Sequence, residues 1–376
     1  MPSVPYLVAA RRSAVGTAGH AFAALTTTEL AAPPLAAVAA GRGPIDDVVL
    51  GNCLGAGGNV ARLAALAAGI DPEVPAVTVD RQCGSGLDAI LQGAARIRAG
   101  EAALVLAGGV ESASTAPWRY WPPEPGQSRP PDGNRYRRAP FAPPGFPDPE
   151  MGLAADDLAR RRGISRARQD EYAARSHQRA HSSLVAGVFA DEIVPVAGVV
   201  ADERPRPGMS AQRLSRLRPA FGVDGTVTAG NSCGISDGAA VVALADRPDP
   251  GGPAIELVGA AVHGGDPALP GACLAPSVRK LLRRQQIEIG RIGAVEITEA
   301  FAAVALAAID DLGLDEERVC RDGGAIGLGH PWGASGALLV VRLMHRMSAP
   351  DGPEWGLAAC AIGGGQGISV LLHRLV

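Results

Sequence analysis

Cys83 stands in Gln82-Cys83-Gly84-Ser85-Gly86, between the β-branched run Val77-Thr78-Val79 and an apolar-periodic segment carrying Leu87, Ile90, Leu91, Ala94 and Ala95. That order predicts strand, tight turn and helix, with the thiol at the helix N-terminus. Unpaired backbone N–H groups and the positive end of the helix dipole there favour thiolate over thiol, which makes Cys83 a candidate nucleophile. A buried structural cysteine is the alternative reading. Two further glycine-rich clusters hold groups of matching chemistry: His330 in Gly327-Leu328-Gly329-His330-Pro331, and the run Ala361-Ile362-Gly363-Gly364-Gly365. Glycines let backbone N–H groups approach a ligand oxygen, the raw material of an oxyanion hole. A thiol, an imidazole able to take its proton and exposed N–H groups together suit covalent acyl transfer.

Other reactive types are less suggestive. The six cysteines, at 53, 83, 233, 273, 320 and 360, contain no C-x-x-C pair, so neither a disulfide framework nor a thiolate metal site is expected, and a reducing cytoplasm fits. His177 and His181 lie four apart on a predicted helix, but no Glu follows the first, so they read as packing or surface histidines. A net charge of −3 gives no reason to expect nucleic acid or an anionic membrane as partner. No uncharged run reaches spanning length, and the N-terminus has no cationic lead before an apolar block.

The elements that must position these groups alternate. Strands are predicted at 6–10, 48–52, 77–79, 103–107 (ending in Gly108-Gly109), 226–231, 238–244, 254–262, 294–297 and 356–362. Helices are predicted at 28–40 with a cap at Thr26 and Glu29, then at 61–68, 87–95, 151–162, 165–187, 277–286, 302–312 and 337–347. The rhythm predicts an α/β protein with parallel strands and helices on both sheet faces. Residues 114–149 break it: Trp118, Tyr120, Trp121, Tyr136, Phe141 and Phe146 crowd into an aperiodic stretch read as an ordered surface excursion. Residues 246–253 form the clearest linker. The Cys83 unit and the His330 unit each precede a helix, a strand and a glycine run, which suggests a duplicated domain.

Six blocks appear in the order found in thiolases, and the chain resembles that family from about residue 6 onward: Gln82-Cys83-Gly84-Ser85-Gly86, Gly108-Gly109-Val110-Glu111-Ser112, Leu217-Arg218-Pro219-Ala220-Phe221, residues 225–231, Glu299-Ala300-Phe301-Ala302, and Gly329-His330-Pro331 with Gly333-Ala334-Ser335-Gly336. The resemblance implies the thiolase fold, two βαβαβαββ halves in five α-β-α-β-α layers. On it, residues 1–113 and 221–246 form the first half, 114–220 an inserted loop domain and 254–376 the second half, in a homodimer or homotetramer. It implies acyl-CoA substrates, no cofactor besides these coenzyme A thioesters and no metal. Cys83 then resembles the acylated nucleophile, His330 its base, and the N–H groups of Cys83 and Gly363 an oxyanion hole. Arg206, Phe221 and Cys233 match positions where the family holds coenzyme A, although a turn residue is an alternative reading of Cys233.

Two departures stand out. Thr298 replaces the family asparagine that holds an oxyanion-hole water, and Ala361 stands where the second catalytic cysteine belongs. Cys360 is one residue early, and in a strand one step turns a side chain to the opposite face unless a bulge re-aims it. The expected activity is acyl-CoA C-acyl transfer through a cysteine thioester. The alternatives are a thiolase-like acyltransferase with a non-CoA acceptor or a thioesterase with weak Claisen activity, and a non-catalytic partner subunit.

Overall fold

A computed structural model describes residues 3–123, 125–126, 135–136, 138–252 and 254–375. Parts of the 114–149 excursion and Pro253 of the linker therefore lie outside the described residues. The first half contributes β1 (Tyr6–Arg12), α1 (Thr27–Ala39), β2 (Asp47–Gly51), α2 (Val60–Ala67), β3 (Ala76–Val79), α3 (Ser85–Ala99), β4 (Leu104–Glu111) and β5 (Ser236–Ala245). Two helices, α4 (Met151–Arg162) and α5 (Arg166–Val185), lie between β4 and β5 in sequence. Then come β6 (Ala254–Gly264), α6 (Leu274–Gln285), β7 (Ala294–Ile297), α7 (Ala302–Leu312), α8 (Trp332–Ser348), β8 (Trp355–Ile362) and β9 (Gln366–Leu375).

The strands run β7-β8-β9-β6-β1-β5-β4-β2-β3. The two halves join where Tyr6 and Leu7 of β1 pair with Glu256 and Ile255 of β6. The expectation of parallel strands is corrected: β2 pairs parallel with β3 and β4, and β7 with β8, while the remaining ladders of this path are antiparallel. β5 returns beside β4 after the long excursion, and β9 follows β8 directly through the Gly363 to Gly365 turn, so neither pair needs a crossover helix.

Side-chain alternation sorts the strands into layers. Val48 and Leu50 face α1 and α2, together with Leu30, Leu35 and Ala61, whereas Val49 faces Leu87 of α3 and Val340 of α8. In the second half, Leu357 and Ala359 of β8 pack with Val278 of α6 and Leu306 of α7, whereas Ala358 and Cys360 face the α3/α8 layer. The order is thus helices, sheet, the α3/α8 pair, sheet, helices, which is the thiolase fold.

Local chemistry explains several boundaries. Thr26 accepts from Glu29 N and Glu29 returns a bond to Thr26 N, a complete capping box for α1. Gly108 and Gly109 do not end their strand: they lie inside β4, where a Cβ on Gly108 would come within 2.1 Å of Ala240 O and one on Gly109 within 2.0 Å of Gly333 O. The strand predicted at 226–231 is not formed. Asn231 Oδ1 accepts from Thr228 N at 2.8 Å and Asn231 Nδ2 donates to Thr226 O at 3.0 Å, so side-chain bonds take the place of a ladder. In the excursion, Arg119–Tyr120 pairs antiparallel with Arg135–Tyr136, and Trp121 stacks on Tyr136 at 4.8 Å. Phe141 returns to the glycine turn, where a Cβ on Gly363 would meet its ring at 2.5 Å.

Candidate active site

The turn before α3 is stapled by its own side chains. Gln82 takes the left-handed conformation, φ +48°, and its N–H donates to Asp80 Oδ1 at 2.7 Å. Ser85 Oγ accepts from Arg81 N at 2.8 Å and donates to Gln82 O at 2.6 Å. Arg81 Nε donates to Asp88 Oδ1 at 2.8 Å, bracing the turn against the first coil of α3. Cys83 is thereby presented at the start of the helix, with no Cβ on Gly84 to collide with Ile362, whose Cδ1 would lie 2.4 Å away.

His330 arrives from the other half. Its N–H is held by Gly234 O and Ser236 Oγ, both at 3.2 Å, and Pro331 caps α8 directly after it. Nδ1 lies 2.6 Å from Ser335 Oγ in the first turn of α8. That contact leaves Nε2 as the free ring nitrogen, buried and without a hydrogen-bond partner. Ser335 was not singled out from the sequence; its signal is the spacing of a serine one helical turn past a histidine that sits just before a helix.

Buried carboxylates lock the surrounding blocks together. Glu111 accepts from Asn52 Nδ2 at 2.9 Å, Leu54 N at 3.1 Å and Gly333 N at 3.0 Å, tying the end of β4 to the turn after β2 and to α8. Glu299 accepts from Tyr172 Oη at 2.9 Å, Ser176 Oγ at 2.6 Å and Ile326 N at 3.1 Å, tying α5 to the loop that leads to His330. Burial raises both carboxyls above the usual carboxylate range, opposed by these donors. Their work is architectural.

Cys83, His330, Phe221, Cys233, Ala361 and Gly363 all line one cavity of about 320 Å³. Burial pushes the Cys83 thiol up to about 12, although the N–H groups of Gly363 and of Cys83 itself pull it down. Burial also takes His330 down to about 4. The resting pair is therefore a thiol and a neutral imidazole: desolvation outweighs the helix-end effect expected to leave the sulfur ionised. Cys233 is likewise pushed up by burial to about 12. Phe221 meets Phe301 edge to face at 6.0 Å and rests on Gly152, where a Cβ would strike its ring at 2.2 Å.

Three residues singled out from the sequence lie elsewhere. Thr298 is buried and lines a separate cavity of about 30 Å³ with Ser335 and Arg342. Thr298 is not among the residues lining the Cys83 cavity; its side chain meets the Cys360 thiol behind it. Cys360 faces the α3/α8 layer; its Sγ contacts Cys83 O at 3.3 Å and Ala361 O at 3.1 Å. The β8/β9 pairing runs without a register shift, so no bulge re-aims it. Arg206 is exposed and outside the cavity lining. His177 is buried in α5, and burial, then the nearby Arg204 and Arg206, lower it to about 4. Among the described residues, no three His, Cys, Asp or Glu side chains gather to hold a metal ion, and no helix is long and apolar enough to cross a membrane.

Residues 5–248 match the family described as Thiolase, N-terminal domain, and residues 252–374 match Thiolase, C-terminal domain. The chain is 38% identical over 395 residues to an acetyl-CoA acetyltransferase of Pseudomonas aeruginosa, covering 98% of each. It is 39% identical over 401 residues to a beta-ketoadipyl-CoA thiolase of the same organism, covering 98% of this chain and 99% of the relative. The crystal structure of the Bacillus anthracis acetyl-CoA acetyltransferase superposes with a TM-score of 0.93 at 36% identity, covering 100% of this chain and 99% of that one.

Proposed function

The chain belongs to the thiolase family of acyltransferases, and on that premise we propose that it transfers an acyl group from one coenzyme A thioester to Cys83 and from there to a second acyl-CoA, or runs the same steps backward as thiolysis. The observation that carries this reading is the convergence of Cys83, His330 and Gly363 on one cavity. Because the imidazole is neutral, Nε2 takes the Cys83 proton as the sulfur attacks the thioester carbonyl, and passes it to the departing coenzyme A sulfur. The negative carbonyl oxygen meets the N–H groups of Cys83 and Gly363. Ser335 holds the ring through Nδ1, which leaves Nε2 without a competing partner. Phe221 and Cys233 line the entry for the pantetheine arm, with Arg206 outside it toward the nucleotide. We place the enzyme in the cytoplasm as a homodimer or homotetramer; its six unpaired cysteines suit a reducing compartment.

Incubation with acetyl-CoA is expected to add one acetyl mass per chain, an adduct that Cys83→Ala abolishes; a wild-type protein that gains no mass from any acyl-CoA would end this reading.

A second reading, transfer to a non-CoA acceptor or hydrolysis with weak Claisen activity, is favoured by two observations: Ala361 presents no ionisable group to the cavity, and Thr298 is not among the residues that line it. Loss of a positioned general base costs roughly 10²–10⁴ in rate and loss of an oxyanion donor roughly 10²–10³. Both losses fall on carbon–carbon bond formation rather than acylation. If Ala361→Cys lifts acetoacetyl-CoA thiolysis from a low level, the second reading stands; brisk thiolysis by the unaltered protein removes its basis.

A further inference from the structure

To take the Cys83 proton, His330 needs a bare Nε2, so its ring hydrogen must sit on Nδ1 and be donated to Ser335 Oγ across the 2.6 Å contact. If Ser335 donated to Nδ1 instead, the hydrogen would sit on Nε2 and the base would be lost. The direction of this bond depends on where the Ser335 hydroxyl hydrogen goes. Ser335 Oγ has no second partner among the described residues.

The cavity of about 30 Å³ beside Ser335 contains an acceptor. Ser335, Leu338, Leu339 and Arg342, spaced as one face of α8, line it together with Glu296 of β7. Val295 and Ile297 belong to the outer helical layer and Ala294 to the α3/α8 layer, so alternation turns the Glu296 side chain toward α8. Glu296 is 2% exposed, yet among the described residues it has neither a hydrogen bond nor an ion pair. A carboxyl in so dry a place is ordinarily partnered. Arg342 donates from Nη1 to Glu192 and from Nη2 to Asp322, while its buried Nε is unpaired. A buried water needs roughly 10–15 Å³ of such space and two to four polar partners. The cavity has that room, and Ser335 Oγ, the Glu296 carboxyl and Arg342 Nε are the partners.

We propose that Glu296 is the positioning residue of His330: through water in this cavity it accepts the Ser335 hydroxyl hydrogen, so that Ser335 accepts from Nδ1 and Nε2 is left as the base. This rests on the acyltransferase reading. No proton leaves the chain of bonds: Nε2 takes the Cys83 proton as Sγ bonds to the carbonyl carbon, and returns it to the coenzyme A sulfur as the old carbon–sulfur bond breaks. Between those events the buried imidazolium is favoured by negative charge on Glu296. Burial pushes that carboxyl up to about 8; Arg342 and Arg346 of α8 pull against this, and Asp322 and Glu192 add to it. Arg12 of β1 lines the same cavity, and Cys320 lies in the outer layer behind β7. Ionisation of Glu296 as pH rises through about 8 thus makes Nε2 the stronger base.

The test measures single-turnover acylation by acetyl-CoA from pH 6.5 to 9.5 by mass, and reads the His330 ring tautomer from its nitrogen NMR shifts, assigned with His330→Gln. The wild type is expected to carry the hydrogen on Nδ1 and to acylate roughly tenfold faster above pH 8 than below it. Glu296→Gln keeps an acceptor without the charge, and is expected to keep the tautomer and lose the rise. Glu296→Leu removes the acceptor, and is expected to move the hydrogen to Nε2 and slow acylation by about 10²-fold or more at every pH. The double variant E296L/S335A should be no slower than S335A alone, since both act through one chain of bonds. A wild-type rise near pH 8 in E296Q overturns the proposal, as does a wild-type tautomer and rate in E296L; if E296L does not fold, the E296Q profile decides. A wild type that never acylates takes the acyltransferase reading down, while the tautomer still tests Glu296.

Discussion

At the scale of single residues, the site is governed by desolvation. A thiol held near 12 and an imidazole held near 4 do not exchange a proton at rest, so proton transfer accompanies attack on the thioester. Alkylation of Cys83 by iodoacetamide should therefore climb about tenfold per pH unit between about pH 7 and 9, following the thiolate fraction. A plateau beginning near pH 7 would reveal a preformed ion pair instead. The same burial links His330 to stability. Its pKa falls from 6.5 to about 4 on folding, so between those values the unfolded chain binds more protons and stability drops as pH drops through that window. His330→Gln should remove this contribution, seen as a smaller loss in urea midpoint between pH 7 and pH 4 than the wild type shows.

At the scale of elements, the central event is the contact of α3 with α8. A Cβ on Gly86 would lie 2.7 Å from Ala337 N, and one on Gly336 would lie 2.6 Å from Leu87 N, a reciprocal contact of backbone on backbone. The sequence reading assigned such glycines to turns; packing assigns these two to a helix crossing. Close approach brings the N-terminal ends of both helices, and with them Cys83 and His330, to one place. Gly336→Ala places the added methyl against backbone that has no room to yield. Its expected cost is roughly 1–3 kcal/mol in urea unfolding, accompanied by slower acylation because the two helix ends separate. An unchanged unfolding midpoint would show that the crossing has slack.

At the scale of the whole molecule, a buried ionic network spans the two halves. Arg12 of β1 donates from Nη1 and Nη2 to the two Asp202 oxygens at 2.8 and 3.0 Å and from Nε to Glu192 at 2.8 Å. Glu192 also meets Arg342 of α8 at 3.3 Å, and Arg342 reaches Asp322 at 3.1 Å. The Phe189 ring lies beneath both guanidinium groups, 5.2 Å from that of Arg12 and 4.3 Å from that of Arg342. Arg12→Met would leave Asp202 buried without its cation, and removal of one partner of such a pair costs roughly 3–5 kcal/mol. Urea unfolding should show that loss, and restoring neutrality with Asp202→Asn in the same chain should recover part of it.

The sequence by itself determined what depends on neighbours along the chain. The capping box at Thr26 and Glu29, the strand-turn-helix around Cys83, the bounds of α4 and α7 and the period-two placement of Cys360 were all legible, because each is set by local hydrogen bonding or side-chain alternation. Tertiary structure alone decided strand direction, the protonation of Cys83 and His330 and the pairing of His330 with Ser335. Those outcomes depend on how much water packing excludes and on which distant segments are brought side by side, and neither quantity is written in any short stretch of residues.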